Sequence, residues 1–376
     1  MKGSTQGGRL LALVDALAGR RVAIAGDLIA DEFIYGEIAR VSREAPVLIL
    51  NYDSTEIVPG GAGNAAGNVA SLGGAARLVG VAGRDETGRR LLGTLKSRRI
   101  DVGGVTRPAG FRTPTKTRIL AGGIHSAKQQ VVRIDRAASS PVDDKTRAEF
   151  ESRVLRAVRG ADALLVSDYG SGLIRPQLVT GARRIFRLKA EATRAARRSR
   201  GGARDPGGPA TDSRGFRLQA EGIIMVDSRY NLLKFRGMTA CTPNESEVEQ
   251  GLGIRIGDNA RALERAGRAL LAQTRAAAVL VTRGSRGMAL FEPDKPTAHI
   301  PIVGSDQIAD VTGAGDTVIA TMTLALSAGA SFEDAARLAN YAGGLVVMKR
   351  GTATVSASEL RHAISGGAVG RAHGPA

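Results

Sequence analysis

The segment ADVTGAGDTVIAT, residues 309–321, sets a single carboxylate, Asp316, between a glycine turn and an apolar run. Glycines leave the backbone N–H groups of such a turn free to converge on an anion, and a helix that starts there adds its positive dipole end. Phosphoryl transfer needs this charge stabilisation together with a base beside the attacking hydroxyl. The pattern predicts that Gly313, Ala314 and Gly315 form an anion site and that Asp316 is the base. The alternative, that Asp316 only caps its helix, stays open at this point.

Composition narrows the classes of protein to which this chain can belong. Of the 376 residues, 43% are hydrophobic and 24% are charged, enough for one large α/β domain or two ordinary ones. Aromatic residues make up only 3% and Trp is absent, which argues against stacking platforms for single-stranded nucleic acid. The single cysteine, Cys241, excludes an internal disulfide and a cysteine zinc cluster, and it fits the reducing cytoplasm. No run approaches the roughly 20 apolar residues that span a bilayer, so no membrane partner is expected.

Positive charge is concentrated in one segment. The formal net charge is +17, and residues 183–217 contribute +8 of it through eleven Arg or Lys and three acids. Residues 190–217 are rich in Gly, Pro, Arg and Ser without a hydrophobic period, which predicts a flexible basic insertion. A non-catalytic, polyanion-binding role is the competing hypothesis. Because a charge block alone is weak evidence for such a role, no nucleic-acid partner is expected.

Short apolar runs alternate with amphipathic segments along most of the chain. This alternation predicts an α/β fold with a doubly wound, mostly parallel sheet and helices on both of its faces. Strand-like stretches at about 32–58 and 111–135 interrupt the alternation and predict a separate small β sheet, a lid. The whole of 1–365 is expected to form one domain, and 366–376 a disordered tail.

Four motifs together make the function more specific. GGAGNAAGNVASLG at 60–73, TPNESE at 242–247, VTRGSRG at 281–287 and DVTGAGDTVIATMTLAL at 310–326 occur in that order. In sequence and order they resemble the signatures of the ribokinase-like (pfkB) carbohydrate kinases. No P-loop motif is present, and the glycine spacing at 61–67 does not fit a dinucleotide fingerprint. The resemblance implies a ribokinase-like fold and an ATP-dependent carbohydrate kinase that uses Mg²⁺.

A narrower resemblance concerns the start of the predicted lid. GDLIADEFIYGEIARVSREAPVLIL at 26–50 and GTATVS at 351–356 are similar to the D-glycero-β-D-manno-heptose 7-phosphate kinases. This implies phosphorylation of the anomeric hydroxyl to give the 1,7-bisphosphate, in the synthesis of ADP-heptose. Kinases for ribose, fructose phosphate or a nucleoside remain alternatives, because pocket specificity depends on few contacts. That branch is often fused to an adenylyltransferase, an activity expected to be absent because the kinase pattern ends near residue 365.

The resemblance also implies roles for individual residues. Asp316 would deprotonate the sugar hydroxyl, and the amides around Gly313, Ala314 and Gly315 would bind the γ-phosphate. Glu247 would additionally organise Mg²⁺ through water. The residues expected to bind ATP are Asn244, Glu245, Ser246, Glu247, Thr282, Gly284, Gly287 and Asn340. The residues expected to bind the sugar phosphate are Asp27, Gly60, Gly61, Asn64, Lys128, Arg133 and Asp168.

The remaining predictions concern the lid's basic residues, its exposed face and a cation site outside it. Of its four basic residues Lys116, Arg118, Lys128 and Arg133, the last two are the predicted ligands of the sugar's phosphate, although such residues also simply discourage edge pairing. The exposed face of the lid predicts a homodimer. Outside the lid, Asp310, Thr312 and Thr352 fall where many relatives bind a monovalent cation, so K⁺ is a further expected cofactor.

Overall fold

A computed structural model describes residues 6–122, 128–137, 142–199, 222–303, 310–349 and 351–366. Its helices are α1 (Gln6–Ala16), α2 (Ala62–Ser71), α3 (Glu86–Ser97), α4 (Asp144–Gly160), α5 (Gln177–Ser199), α6 (Glu245–Leu252), α7 (Ala260–Thr274), α8 (Ala314–Ser327), α9 (Phe332–Val346) and α10 (Ala357–Ile364). Its strands are β1 (Arg21–Gly26), β2 (Leu28–Val41), β3 (Leu48–Gly61), β4 (Ala75–Val79), β5 (Thr115–Gly122), β6 (Gln129–Arg136), β7 (Ala163–Asp168), β8 (Ile223–Ser228), β9 (Ala240–Cys241), β10 (Ala278–Thr282), β11 (Met288–Phe291) and β12 (Ala298–Ile300).

The main sheet has the strand order β12-β11-β10-β9-β8-β7-β1-β4. The strands from β10 to β4 pair in parallel, whereas β11 and β12 form an antiparallel edge. Nearly every residue of β1, β7 and β8 is buried, as expected for strands covered on both faces. The predicted α/β fold with a doubly wound, mostly parallel sheet is therefore confirmed.

Alternate residues of the central strands pack into two separate hydrophobic cores. Ile24 and Leu165 pack with apolar residues of α2, α8 and α9 on one face. Ala25 and Val166 pack with those of α4, α5 and α7 on the other. This period-2 division places a helical layer on each side of the sheet and leaves its carboxyl edge open for a site.

The second sheet forms the lid, with strand order β3-β2-β5-β6. β2 pairs antiparallel with β3 and in parallel with β5, and β5 pairs antiparallel with β6. The two long strands are buried where they join the main body and exposed toward the β2–β3 hairpin. The predicted separate small sheet is confirmed, although β2 starts at Leu28, earlier than the predicted boundary near residue 32.

Helix α5 is longer than the sequence pattern indicated, because it continues to Ser199. Residues 190–199, predicted as the start of an irregular insertion, are therefore helical. Residues 200–217 of that predicted insertion and 367–376 of the predicted tail lie outside the described residues. Within the described ranges, no helix combines the length and apolar character needed to cross a bilayer.

Candidate active site

A cleft of about 620 Å³ opens at the carboxyl edge of the main sheet, beneath the lid. Strands β7, β8 and β10 reach it with Asp168, Asp227 and Thr282, because parallel strands bring their carboxyl ends to one edge. The start of α8 forms its floor, and β5 of the lid overhangs it. Of the predicted site residues, those in its lining are Gly61, Arg133, Asp168, Asn244, Glu247, Thr282, Gly284, Gly287, Thr312, Gly313, Ala314, Gly315, Asp316, Asn340 and Thr352.

Asp316 lies in the first turn of α8, and its side chain is buried. Asn64 Nδ2 donates a hydrogen bond to its Oδ2 at 2.8 Å, and the Tyr169 hydroxyl donates to its Oδ1 at 3.2 Å. The N-cap of the helix is Gly313, which has no side chain to cap it. The alternative reading of Asp316 as a helix cap is therefore wrong, because its carboxylate bonds two side chains instead of the backbone.

Burial raises the pKa of Asp316 to about 7, against the lowering effect of hydrogen bonds from Asn64 and Tyr169. The negative charge of Asp31 raises the pKa further, and the positive charge of Lys116 lowers it. A carboxylate with a pKa near neutrality accepts a proton more readily than an ordinary surface aspartate does. Asp316 therefore has the ionisation expected of a general base.

Backbone amides face the cleft beside this carboxylate. Gly313 adopts a left-handed conformation with φ 80°, and a Cβ there would lie 2.5 Å from Asn64 Nδ2. Among the described residues, the amides of Gly315 and Asp316 have no hydrogen-bond acceptor. A Cβ on Gly315 would meet nothing within 4 Å, so this residue borders open space. Free amides at a helix N-terminus form an anion site.

The predicted ATP residues line the far side of the cleft. Asn244 caps α6 by accepting from the Glu247 amide, while Glu247 Oε2 accepts from the Asn244 amide at 3.0 Å. This capping box fixes the Glu247 carboxylate at the cleft wall, where partial burial raises its pKa. Thr282 bridges to Asn244 across the sheet edge, and Asn340 Nδ2 donates to Pro301 O at 2.7 Å.

Two predicted ATP residues do not line the cleft. Glu245 is paired with Arg283 at 2.8 Å and with Arg286 at 2.6 Å. Ser246 Oγ donates to Asn244 Oδ1 at 2.6 Å. Both residues therefore stabilise the loops around the nucleotide side of the cleft.

Several residues that were predicted to bind the sugar do not line the cleft, but contact residues that do. Asp27 does not line the cleft; its buried carboxylate accepts from the Tyr169 amide at 2.8 Å and from Ser171 Oγ at 2.5 Å. Asn64 likewise does not line the cleft, and its side chain donates a hydrogen bond to Asp316, which does. A Cβ on Gly60 would lie 2.4 Å from Asp31 Oδ2, so this glycine permits a close approach of the lid strands.

The lid cations differ from the expected pair. Lys128 lies outside the cleft, where it pairs with Asp53 at 2.6 Å. Arg133 does line the cleft and pairs with Asp135 at 3.0 Å. The other lid cations of the cleft are instead Lys116 and Arg118, on the same face of β5, and Arg118 is opposite Arg133. The i, i+2 spacing of 116 and 118 was the sequence signal for this shared face.

Sequence reasoning missed five further residues of the site: Asp31, Tyr169, Asp227, Arg229 and Thr242. Asp227 and Arg229 follow the same strand-end rule that identified Asp168, applied to β8. Desolvation raises the pKa of Asp227 well above its ordinary value, with the charge of Glu247 as the next cause. Thr242 Oγ1 is buried without a partner among the described residues.

The predicted monovalent-cation residues join two loops. Asp310 Oδ1 accepts from the Thr312 amide at 2.8 Å, and its Oδ2 accepts from the Gly351 amide at 3.1 Å. Thr352 Oγ1 donates to Asp31 Oδ2 at 3.4 Å. The carboxylate of Asp310 thus ties the start of α8 to the segment before α10.

Oxygen ligands for Mg²⁺ are available but sparse. Within the described ranges, no group of three or more His, Cys, Asp or Glu side chains is arranged to hold a metal. Asp227 and Glu247 line the cleft near the residues predicted to bind ATP. Mg²⁺ usually keeps several waters and takes one or two carboxylates plus substrate phosphates, so these residues fit an ion that arrives with ATP.

Tyr169→Phe tests the hydrogen bond that stabilises the charged form of Asp316. Because that bond lowers the pKa of Asp316, its loss should raise the pKa further. The check is a carboxyl ¹³C NMR titration of the unliganded protein. Tyr230→Phe, an exposed neighbour, is the matched control. An Asp316 pKa that stays unchanged in Tyr169→Phe would show that the hydroxyl does not support the carboxylate.

The chain is similar to a known family and to named relatives. The pfkB family carbohydrate kinase model matches residues 28–187 and 229–359. The chain is 37% identical to the bifunctional protein HldE of Geobacter metallireducens, over 90% of this chain and 61% of that protein. It is 38% identical to HldE of Caulobacter vibrioides, over 92% and 63%. The chain thus spans less than two thirds of the length of these relatives.

Solved structures share the fold. Ribokinase from Arabidopsis thaliana, complexed with ribose and ATP, aligns with a TM-score of 0.63 and 18% identity over 92% of this chain and 99% of that one. Phosphofructokinase-2 from Escherichia coli, in complex with potassium, aligns with a TM-score of 0.64 and 17% identity, over 92% and 98%. The ribokinase-like fold expected from the motifs is confirmed. With its family model matched over most of its length, the chain belongs to the pfkB family of carbohydrate kinases.

Proposed function

We propose that this carbohydrate kinase transfers the γ-phosphoryl group of ATP to the anomeric hydroxyl of D-glycero-β-D-manno-heptose 7-phosphate, giving the 1,7-bisphosphate and ADP. The observation that carries the transfer step is the buried Asp316 carboxylate beside the free amides of Gly315 and Asp316. The heptose assignment is supported by the resemblance of residues 26–50 to heptose kinases and by the similarity to the HldE proteins.

The chemistry follows from this arrangement. Asp316 takes the proton of the acceptor hydroxyl, whose oxygen forms the new bond to the γ-phosphorus. The bond from that phosphorus to the β–γ bridging oxygen breaks, and ADP leaves with the electron pair. The free amides and the dipole of α8 stabilise the negative charge of the group in transit. Glu247 and Asp227 would hold a Mg²⁺ ion, which would neutralise charge on the nucleotide phosphates.

Lid residues supply the selectivity for a phosphorylated sugar. Arg118 and Arg133 lie opposite each other on β5 and β6 and both face the cleft. Guanidinium groups bind phosphate through two hydrogen bonds at once, so this pair suits the 7-phosphate. Asp31 and Asp135, their present partners, hold the two side chains in place until the substrate arrives. A lid over the sugar also keeps water from accepting the phosphoryl group.

A second copy of the chain would cover the outer face of the lid. Of the twelve large apolar side chains that are exposed in the described residues, eight lie on the lid strands and their hairpin: Ile38, Val41, Val47, Leu48, Tyr52, Val131, Val132 and Ile134. Val132 and Ile134 alternate with the cleft-facing Arg133, so they point away from the substrate. An apolar patch of this kind marks an interaction surface, and a homodimer places two such patches together.

A monovalent cation, K⁺, is proposed beside the loops that Asp310 joins. Thr312 and Thr352 lie there in the cleft lining, next to the amides of α8. The Escherichia coli phosphofructokinase-2 structure that shares the fold is itself a complex with potassium. A cation at this place would add positive charge next to the anion site.

The acceptor sugar is tested directly with a substrate panel and an ADP-release assay. Heptose 7-phosphate should be turned over with the highest kcat/KM, and heptose without the phosphate should be at least about 100-fold poorer, because Arg118 and Arg133 would lose their partner. Ribose, fructose 1-phosphate and a nucleoside complete the panel. Turnover restricted to these three would rule out the heptose assignment and leave the kinase chemistry intact.

Asp316→Asn should reduce kcat by at least about 1,000-fold and leave ATP affinity nearly unchanged, since Asn cannot accept the proton. In the wild type, kcat/KM should rise by about ten-fold between pH 6 and pH 8, because the base works only when deprotonated and its pKa is about 7. Asp294→Asn, an exposed turn residue, is the control. Wild-type turnover in Asp316→Asn, or a flat pH profile, would contradict the assignment.

The dimer is tested by light scattering after size exclusion. The wild type should have twice the 39.0 kDa chain mass, and Val132→Glu with Ile134→Glu should be monomeric, because buried carboxylates oppose apolar association. Leu188→Glu, on the exposed surface of α5, should leave the mass unchanged. A monomeric wild type at micromolar concentration would refute the proposed assembly.

A further inference from the structure

Two cations of the cleft, Lys116 and Arg229, form no ion pair within the described residues. Among the described residues, the side chains of Lys116 and Arg229 make no hydrogen bond and no ion pair. Each instead lies near an aromatic ring: Lys116 Nζ is 5.4 Å from the centre of the Tyr169 ring, and the Arg229 guanidinium is 5.6 Å from that of Tyr230. The other lid arginines that line the cleft are both paired with carboxylates. Lys116 and Arg229 are therefore available to a ligand.

Arg229 occupies the boundary between the two halves of the cleft. It directly follows β8. On one side of β8 lie β9 and β10, toward the proposed nucleotide site, and on the other side lie β7 and β1, toward the proposed sugar site. Lys116 reaches into the same cleft from β5 of the lid. The two cations therefore line the same cleft, Arg229 from the end of a main-sheet strand and Lys116 from the lid.

Lys116 and Arg229 line one cleft, and their charges act on each other. Burial lowers the pKa of Lys116, the charges of Arg229 and Arg118 lower it further, and those of Asp31 and Asp135 raise it. Arg229 is exposed in the open cleft, so water screens part of this repulsion. An anion bound between Lys116 and Arg229 would remove the repulsion and satisfy both charges.

Each cation also reaches the reacting groups. The charge of Lys116 lowers the pKa of Asp316, the proposed base. The charge of Arg229 lowers the pKa of Glu247 and of Asp227, the proposed Mg²⁺ side. Lys116 and Arg229 thus line the same cleft as the proposed base, Asp316, and the carboxylates proposed for Mg²⁺.

We propose that Arg229 and Lys116 bind the phosphoryl group in transit from opposite sides, so that both are catalytic residues. The inference rests on the proposed function for the positions of the nucleotide and the sugar. It does not depend on which sugar is used. As the sugar oxygen bonds to phosphorus and the bond to ADP breaks, negative charge spreads over the three equatorial oxygens of the group. The amides of α8 stabilise the negative charge on one side of the phosphoryl group, and the two cations stabilise the charge on its other sides. Arg229 of the main sheet and Lys116 of the lid are thereby bridged only while the phosphoryl group lies between their two side chains.

The same cations could instead bind the phosphate that the sugar already carries. The two cases differ in kinetics, because a contact made only in the transition state lowers kcat when it is lost, whereas losing a contact to a substrate phosphate raises KM for that substrate. The position of Arg229 on the core sheet, away from the cross-strand pair of Arg118 and Arg133, favours the first case.

The experiment compares Arg229→Gln, Arg229→Lys and a control, Arg187→Gln, on the exposed surface of α5. Arg229→Gln should lower kcat by about 100-fold with KM for ATP and for the sugar phosphate within a few-fold. Arg229→Lys, which keeps the charge, should recover a substantial part of that loss, and Arg187→Gln should match the wild type. Thermal melting of all three shows that the variants are folded.

An unchanged kcat in Arg229→Gln would overturn the inference, as would a loss confined to the KM of the sugar phosphate. The proposed sugar can fail separately. If the wild type does not phosphorylate heptose 7-phosphate, the same variants are measured with the acceptor that the wild type does use, and the same kcat criterion applies.

Discussion

Asn64 in the first turn of α2 and Asp316 in the first turn of α8 are joined by a hydrogen bond of 2.8 Å, and the site is built around it. The bond requires the two helix starts to approach so closely that position 313 has no room for a Cβ. Asn68 extends the contact one turn further, because its side chain donates to Asn64 and accepts from Thr317 Oγ1 at 3.1 Å. The result is a carboxylate that is buried yet hydrogen-bonded, next to amides that are exposed.

Such a carboxylate costs folding stability. The folded-state pKa of Asp316, about 7, lies above the roughly 3.9 of an unfolded aspartate, so the folded protein binds more protons between these values. Stability from this group is therefore greatest below pH 4 and declines as the pH rises toward 7. Asp27, Asp227 and Glu247 have raised pKa values as well, each with burial as the main cause. The cleft and the residues directly behind it are thus acidic, and the cations of the lid and Arg229 offset part of this charge.

The sequence was most informative where local pattern decides structure. Strand–helix alternation predicted the layered sheet, and the glycines before Asp316 predicted a helix start with free amides. Which lid cation reaches the cleft could not be predicted, since it depends on the register of β5 and β6 and on which face each residue shares. Lys128 shows this, because it turns to Asp53 instead. Composition misled at 190–199, where Ala and Arg are good helix formers and extend α5.

Two strands of the lid run directly into the elements of the site. β2 starts two residues after β1 ends, and β3 passes through Gly61 directly into α2. Each of these strands has 14 residues, which corresponds to about 45 Å at roughly 3.3 Å per residue. β3 therefore leads through Gly61 straight to the turn of α2 that carries Asn64, the hydrogen-bond donor to Asp316. The lid strand and the helix that positions the proposed base are thus one uninterrupted stretch of chain.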